Sequence, residues 1–301
     1  PLDHRFPIQK YRRLRDELLY TQVLQSEELL PSPLATYEDL LQAHDKDYVD
    51  KVFTGELSEA EIRRIGFPWS PALVLRSRAT VGGALAAAQS ALKNGISGQL
   101  AGGTHHAHRS FGSGYCIFND FAVVSKVLLG QGLVQRVFIL DLDVHQGDGN
   151  SSILADDERV YVMSFHGAKN FPFRKFKSTK DIELEDLCDD ETFLSLLENN
   201  LSEILKFKPD LVLYQSGVDG LKEDMLGRLG LTQDGLRRRD EMVFEMAHQN
   251  GFPISIAIGG GYTKPIDISV KAYVQTFEIA KRYWNKKQTE MKTEMKTKIN
   301  S

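Results

Sequence analysis

Asp141, Asp143 and His145, spaced two apart, close an apolar run that begins at Val137. In an extended chain alternate side chains share a face, so the two carboxylates and the imidazole point one way while Leu142 and Val144 point into the packing. Such a trio repels itself, stays exposed or binds something positive. A divalent cation resolves the conflict, because carboxylate oxygen and imidazole nitrogen are both good zinc ligands. A lone aspartate at a strand end is commonly a helix N-cap, so the grouping carries the reading rather than any one residue. Asp219 follows a second apolar run, in Leu213-Tyr-Gln-Ser-Gly217-Val-Asp219-Gly, and is either a cap or turn residue or a third ligand. Catalytic zinc keeps three protein ligands and one open position, which Asp143, His145 and Asp219 would provide.

Two more clusters bring groups that move protons or donate hydrogen bonds. Gly102-Gly103-Thr104-His105-His106-Ala-His108 sets adjacent imidazoles after a glycine turn. Imidazole titrates near neutral pH and can take a proton from water, then return it to a leaving group. Asp141 or Asp148 on the far nitrogen would set the tautomer and basicity of one of them. His108 is given no role and is expected to be exposed. Gly259-Gly260-Gly261-Tyr262 follows another apolar run. Its glycines allow close backbone approach, and the tyrosine hydroxyl could stabilise an oxyanion.

The elements that must position these groups are short apolar runs alternating with helical stretches. Strands are expected at Gln99–Ala101, Val137–Asp143, Val160–Phe165, Leu211–Gln215 and Ile254–Ile258, nearly continuous in apolar residues as parallel strands buried on both faces are. Helices are expected over 76–94 (stopped by Gly95), 119–130, 190–206, 233–249 and 267–285. Residues 1–75 read as loops and short helices punctuated by prolines. The alternation predicts an α/β domain with a parallel sheet covered on both faces. In such sheets ligands bind beyond the carboxyl ends of the strands. All four polar clusters fall at such ends, which points to one shared metal site. No linker divides the chain, so residues 1–285 read as one domain, and 286–301 as a frayed helix or flexible charged tail.

Composition narrows the setting. Among 301 residues, 42% are apolar and 26% charged, with a formal net charge of −4. No basic stripe for nucleic acid emerges, and Arg237-Arg238-Arg239 reads as a solvated helix face. No apolar run approaches the roughly 18–20 residues of a membrane span. Cys116 and Cys188 lie far apart and make no disulfide framework, so a reducing, cytoplasmic location is expected, or a nuclear one in a eukaryote.

At these same residues the sequence resembles the histone deacetylase family, a zinc-dependent branch of the arginase–deacetylase superfamily. The matching motifs are Gly102-Gly-Thr-His-His106, Gly114-Tyr-Cys-Ile-Phe-Asn119, Asp141-Leu-Asp-Val-His-Gln-Gly-Asp148, Ser216-Gly-Val-Asp219 and Gly259-Gly-Gly-Tyr262, in family order between about Pro68 and Lys264. Gln146 replaces a second histidine. That wording, with His166-Gly-Ala-Lys-Asn-Phe-Pro-Phe, looks like the class IV branch and its bacterial relatives. Members often carry a further strand ahead of the part matching His4-Arg-Phe-Pro7.

The resemblance implies a single arginase/deacetylase-like domain whose mostly parallel sheet has about eight strands. It implies one Zn2+ per chain on Asp143, His145 and Asp219. His106 would be general base and acid with His105 as its partner, Asp141 and Asp148 would stand behind the histidines, and Tyr262 would donate to the oxyanion. The Gly114 carbonyl would accept from the substrate amide, with Tyr115 and Phe171 as facing walls of an acyl-lysine tunnel. A monovalent cation such as K+ would sit near Asp141, Asp143 and His145, with Ser164 and Phe165 contributing. The implied reaction removes acetyl or longer acyl groups from lysine side chains of a protein or peptide. Competing readings are a deacetylase of acylated small amines such as polyamines, a binuclear manganese ureohydrolase, and a non-catalytic acyl-lysine-binding scaffold.

Overall fold

Alternation within the apolar runs sorts their side chains onto two faces of one sheet. The computed structural model describes residues 5–299. Its strands are β1 (Ile96–Gly98), β2 (Val137–Asp141), β3 (Val160–Gly167), β4 (Lys180–Leu184), β5 (Leu211–Gln215) and β6 (Ile254–Ala257). They run in the order β1-β6-β5-β2-β3-β4, and every neighbouring pair is parallel. Helices are α1 (Gln9–Tyr20), α2 (Tyr37–Leu41), α3 (Lys46–Thr54), α4 (Glu59–Ile65), α5 (Pro71–Asn94), α6 (Asp120–Gly130), α7 (Asp148–Leu154), α8 (Asp190–Phe207), α9 (Gln233–Gln249) and α10 (Asp267–Ile299).

Val137, Ile139, Val162, Leu211 and Leu213 face one core, shared with Val81, Ala84 and Ala88 of α5 and Phe121, Val124 and Leu128 of α6. Phe138, Leu140, Met163, Val212 and Tyr214 face the other, shared with Phe193 and Leu197 of α8, Val243 and Phe244 of α9, and Tyr273 and Phe277 of α10. Adjacent strand residues thus serve opposite cores, as the pleat requires. The buried triplet pairs Ile139–Val162 and Ile139–Leu213 show the register that sets those faces.

Several expected boundaries moved. The described sheet has six strands rather than about eight. β4 was not anticipated, because Lys180-Asp-Ile-Glu-Leu184 is an edge strand that buries only Ile182 and Leu184. β1 lies at Ile96–Gly98 instead of Gln99–Ala101, since past Gln99 the chain turns toward Gly102, which sits at φ +88°. β2 ends at Asp141, two residues early. Beyond it the backbone N–H groups of Asp143 and His145 donate to the carboxylates of Asp141 and Asp143 at 3.2 and 3.0 Å, which takes them off the ladder. α5 begins at Pro71, with the Ser70 hydroxyl capping Leu73 N–H at 3.2 Å and proline in the first turn. α10 continues from Asp267 as far as Ile299.

Candidate active site

Chain order reverses beside β2. From it the chain steps outward to β3 and β4, then returns on the other side to β5 and β6. This switch point opens a crevice at the carboxyl ends of the strands. Asp143 and His145 follow β2, Asp219 follows β5 and the glycine turn follows β6, so the sheet delivers all three to that crevice.

Asp143, His145 and Asp219 are buried together, with one donor atom from each lying within 4.8 Å of the others. His145 Nδ1 is 3.1 Å from Asp143 Oδ1 and 3.0 Å from Asp219 Oδ2. Bonds of about 2.0–2.1 Å in a tetrahedral zinc site place neighbouring donors about 3.3 Å apart, so this spacing suits such an ion. Electrostatics agree. Burial and the charge of Asp143 push the Asp219 carboxyl up to about 7. Burial opposes charge on His145, yet the two carboxylates overcome it and raise the imidazole to about 10. A protonated His145 is how the protein alone balances two buried acids. A divalent ion balances them equally and leaves the imidazole nitrogen to bind it. The donor set therefore fits the group.

Backbone presses closely on this cluster. Gly260 N–H donates to Asp143 Oδ2 at 2.7 Å and Val144 N–H to Asp219 Oδ1 at 3.0 Å. A Cβ on Gly260 would stand 1.7 Å from Asp219 Oδ2, which no side chain tolerates. The glycine turn is gripped from behind by the Tyr273 hydroxyl, bonded to the Gly260 and Ile258 carbonyls, and by Lys10 Nζ, 2.8 Å from the Gly259 carbonyl. Lys10 is fully buried, and burial draws its ammonium down to about 8 against the pull of Asp219 and Asp143.

The two histidines form a second layer. His105 Nδ1 lies 2.8 Å from Asp141 Oδ2, and His106 Nδ1 lies 2.7 Å from Asp148 Oδ1. Each candidate carboxylate thus takes one histidine of the adjacent pair, a choice that spacing left open. Burial alone would lower His105, but Asp141 and then Asp143 raise it to about 9. Burial and the neighbouring His105 charge take His106 down to about 4, despite Asp148. Adjacent imidazoles are thereby driven apart, one held charged and one held neutral.

A cleft of about 670 Å³ opens above, lined by His106, Gly114, Tyr115, His145, Phe171 and Tyr262 among others. A smaller chamber of about 40 Å³ lies beneath, touching Asp143, His145, Asp219, His105 and Tyr262. Phe171 meets His106 edge-on at 4.9 Å. Tyr115, at φ +66°, is tied by its N–H to the Ile65 carbonyl at 2.8 Å, and its ring packs on Gly66. The Gly114 carbonyl accepts from the Cys116 thiol at 3.4 Å. Ser164 pairs in register with Asp141, its hydroxyl 3.0 Å from His166 Nδ1, while Phe165 is buried beside it. Gln146 ties down the loop bearing Phe171. Its Nε2 donates to the Phe176 carbonyl at 2.6 Å and to Asp181 at 2.8 Å, and its Oε1 accepts from Phe176 N–H at 2.9 Å.

Two expectations are corrected. His108 is buried, not exposed: its Nε2 lies 3.0 Å from Asp148 Oδ2 and its Nδ1 2.7 Å from Ser152 Oγ, so one carboxylate serves two imidazoles. Arg239 does not share a solvated face with Arg237 and Arg238. It is 1% exposed, pairs with Asp240 at 2.8 Å and donates to the carbonyls of Gly217 and Ser216 just behind Asp219. Leu236, Arg239, Asp240, Val243 and Phe244 follow the i, i+3, i+4, i+7 rhythm of an inner helix face, a signal available in the sequence.

Other supports went unassigned. Asp120 accepts from Gly103 and Thr104 N–H at 2.8 and 3.0 Å and so shapes the histidine loop. Asn119 caps α6 and donates to the Ala107 carbonyl at 3.0 Å. His44 accepts from Asn119 N–H at 2.9 Å, which leaves its Nδ1–H to donate to the His108 carbonyl at 2.9 Å. Lys10 shares the α1 inner face with Leu14 and Leu18 at four-residue spacing, and that spacing could have flagged it.

Known proteins resemble this chain in sequence and fold. The Histone deacetylase domain family matches residues 4–277. An uncharacterized protein of Picosynechococcus sp. (strain ATCC 27264 / PCC 7002 / PR-6) is 43% identical over 267 residues, 88% of this chain and 89% of its own length. Histone deacetylase 2 of Arabidopsis thaliana is 30% identical over 275 residues, 87% of this chain and 70% of that protein. The crystal structure of an HDAC homolog from Aquifex aeolicus superposes with a TM-score of 0.80 at 26% identity, covering 93% of this chain and 80% of that one, and an HDAC homolog complexed with SAHA gives the same values. With the family's domain spanning nearly the whole chain and its fold reproduced, this protein belongs to the histone deacetylase family and is a deacetylase hydrolase.

Proposed function

We propose that the protein hydrolyses the amide of acylated lysine side chains, with one zinc ion on Asp143, His145 and Asp219. The observation that carries this reading is the buried Asp–His–Asp triplet lining a small chamber that His106 and Tyr262 share with the open cleft. A zinc ion there supplies Lewis-acid polarisation of a carbonyl and brings the pKa of water toward about 7. His106, neutral and oriented by Asp148, takes a proton from the attacking water and later passes one to the departing amine. His105, held charged by Asp141, keeps its proton and positive field beside that transfer. The Tyr262 phenol stays protonated, because burial and the charges of Asp219 and Asp143 push it well above its ordinary value, and so it donates to the developing oxyanion. Tyr115 and Phe171 bracket the lysine methylenes, and the Gly114 carbonyl accepts from the substrate N–H. A monovalent ion near Asp141 and Ser164 is a separate part of the proposal, supported by their pairing in register.

The test is a panel of acetyl-lysine and long-acyl-lysine peptides beside acetylpolyamines, assayed with zinc-loaded protein. Acyl-lysine turnover is expected, and SAHA, found with a homologous structure, is expected to inhibit it. His106→Ala and Tyr262→Phe should each slow turnover by about 100-fold or more while zinc stays bound. Near-normal rates in either variant would sink the assigned role, and tight peptide binding without turnover would leave only a scaffold.

A further inference from the structure

The mouth of the cleft has a charge character of its own. Arg63, Arg64, Lys169 and Arg228 line it, and among the described residues no aspartate or glutamate does. The chain as a whole is negative, at −4, so this positive rim is local. Its cations come from three separate segments: α4, the loop after β3 and the loop after β5. They therefore surround the opening instead of forming one stripe.

Their present partners stand outside the lining. Arg63 reaches Glu59 at 3.2 Å along α4, Arg228 reaches Asp186 at 2.6 Å, and Lys169 lies 3.7 Å from Glu185 and 3.8 Å from Asp186. None of those acids lines the cleft. The contacts of Arg63 and Lys169 are solvent-exposed and of the kind that contributes little, so these two cations can turn to an incoming carboxylate at small cost. Arg228 instead grips Asp186 with two nitrogens and adds its field from a fixed place. Among the described residues Arg64 has no carboxylate within salt-bridge distance. Its guanidinium lies 4.6 Å from the centre of the Phe111 ring, and its own carbonyl accepts the Gly114 N–H at 3.3 Å, which fixes it beside the tunnel.

We infer that this rim selects acyl-lysine carried in an acidic peptide segment and disfavours basic tails and polyamines. The inference rests on the acyl-lysine reading of the site. A neutral acyl-lysine enters between Tyr115 and Phe171, and the carboxylates of its chain neighbours meet the four cations at the rim. Opposite potentials across such a contact raise the encounter rate and the affinity, whereas a polycation is repelled.

The experiment uses zinc-loaded full chain and peptides of equal length with one acetyl-lysine, flanked at both sides by Glu, Gln or Lys. At about 50 mM salt kcat/KM should be about tenfold higher for Glu than for Lys flanks, with Gln between and the spread carried by KM. At about 500 mM salt it should largely collapse, as the screening length drops to about 4 Å. The Arg64→Gln, Lys169→Gln double variant should flatten the order at low salt while leaving turnover of the Gln peptide near its starting value. Equal or better use of the Lys peptide, or a spread untouched by salt and by the double variant, overturns the inference. If no peptide is turned over, the acetyl-lysine peptide reading of the site fails, and the rim is read instead by fluorescence anisotropy of the same peptides on the His106→Ala protein. Tighter binding of the Glu peptide there upholds the rim's preference, and equal or weaker binding refutes it.

Discussion

Asp148 is the one carboxylate that both His106 and His108 share, and replacing it by asparagine isolates the worth of its charge. Oδ1 lies 2.7 Å from His106 Nδ1 and Oδ2 lies 3.0 Å from His108 Nε2. In Asp148→Asn the amide oxygen can still accept from His106, while the amide NH2 donates to a His108 that has moved its proton to the nitrogen facing Ser152 Oγ, 2.7 Å away. Both contacts survive; only the negative charge is lost. A hydrogen bond to a charged group contributes about 1.5–3 kcal/mol and a neutral one about 0.5–1.5, so the charge is worth roughly 1.4 kcal/mol, or about tenfold. The loss falls on the step in which His106 becomes positive. Steady-state kinetics on an acetyl-lysine peptide should therefore show kcat down about tenfold, with KM and zinc content by elemental analysis unchanged. Because the hydrogen bond and charge of Asp148 raise the His106 imidazole, loss of the charge also moves the acid limb of the pH profile lower. A kcat within twofold of wild type refutes the argument that the charge, beyond the geometry, activates His106. Loss of zinc in the variant refutes the separation of the two layers.

Three further outcomes follow from the same geometry. A chelator should abolish activity and Zn2+ restore it, with the apo protein unfolding at lower temperature by calorimetry, since Asp143 and Asp219 then share the site uncompensated except by His145. An unchanged unfolding temperature would count against a buried metal on these ligands. In Gly260→Ala the new methyl collides with Asp219 Oδ2, so zinc content after dialysis should fall at least about tenfold while the far-UV circular dichroism stays native. Retained zinc would show that the turn yields. Burial lowers His44 from an ordinary 6.5 to about 4, against its bond to the His108 carbonyl. The depressed value means its contribution is fully present above pH 6.5 and is lost as pH falls toward 4, by roughly 3 kcal/mol. Denaturant midpoints of wild type should thus drop more steeply over that window than those of His44→Asn, and parallel curves would contradict the assignment.

What could be read from the chain alone was whatever depends on local order. Apolar runs such as Val137 to Leu140 and Leu211 to Leu213, short and rich in branched residues, announce buried parallel strands, which are apolar at successive positions because both faces are covered. The polar residues that interrupt those runs, Asp141, Asp143, His145 and Asp219, announce a crevice at the strand ends. The family motifs then named the chemistry. An edge strand such as Lys180–Leu184 left no comparable trace, as its exposed side is free to be polar.

Tertiary structure decided which distant groups meet. That Asp141 takes His105 and Asp148 takes His106, with His108 on the other oxygen, depends on how the loop after β1 lies across β2 and α7, about 40 residues away in sequence. The burial of Lys10 and Arg239 showed in the sequence only as a place in a helical rhythm, which does not say that a cation comes inside. Composition places such cations in water, and they come inside only where converging carbonyls of Gly259, Ser216 and Gly217 replace that water. Asp143 and His145 stood out by type and spacing along one strand, whereas Asp219 joined them only through the family resemblance. Their partners, their charge states and the positive rim around the cleft arise from contacts between segments that sequence order keeps apart.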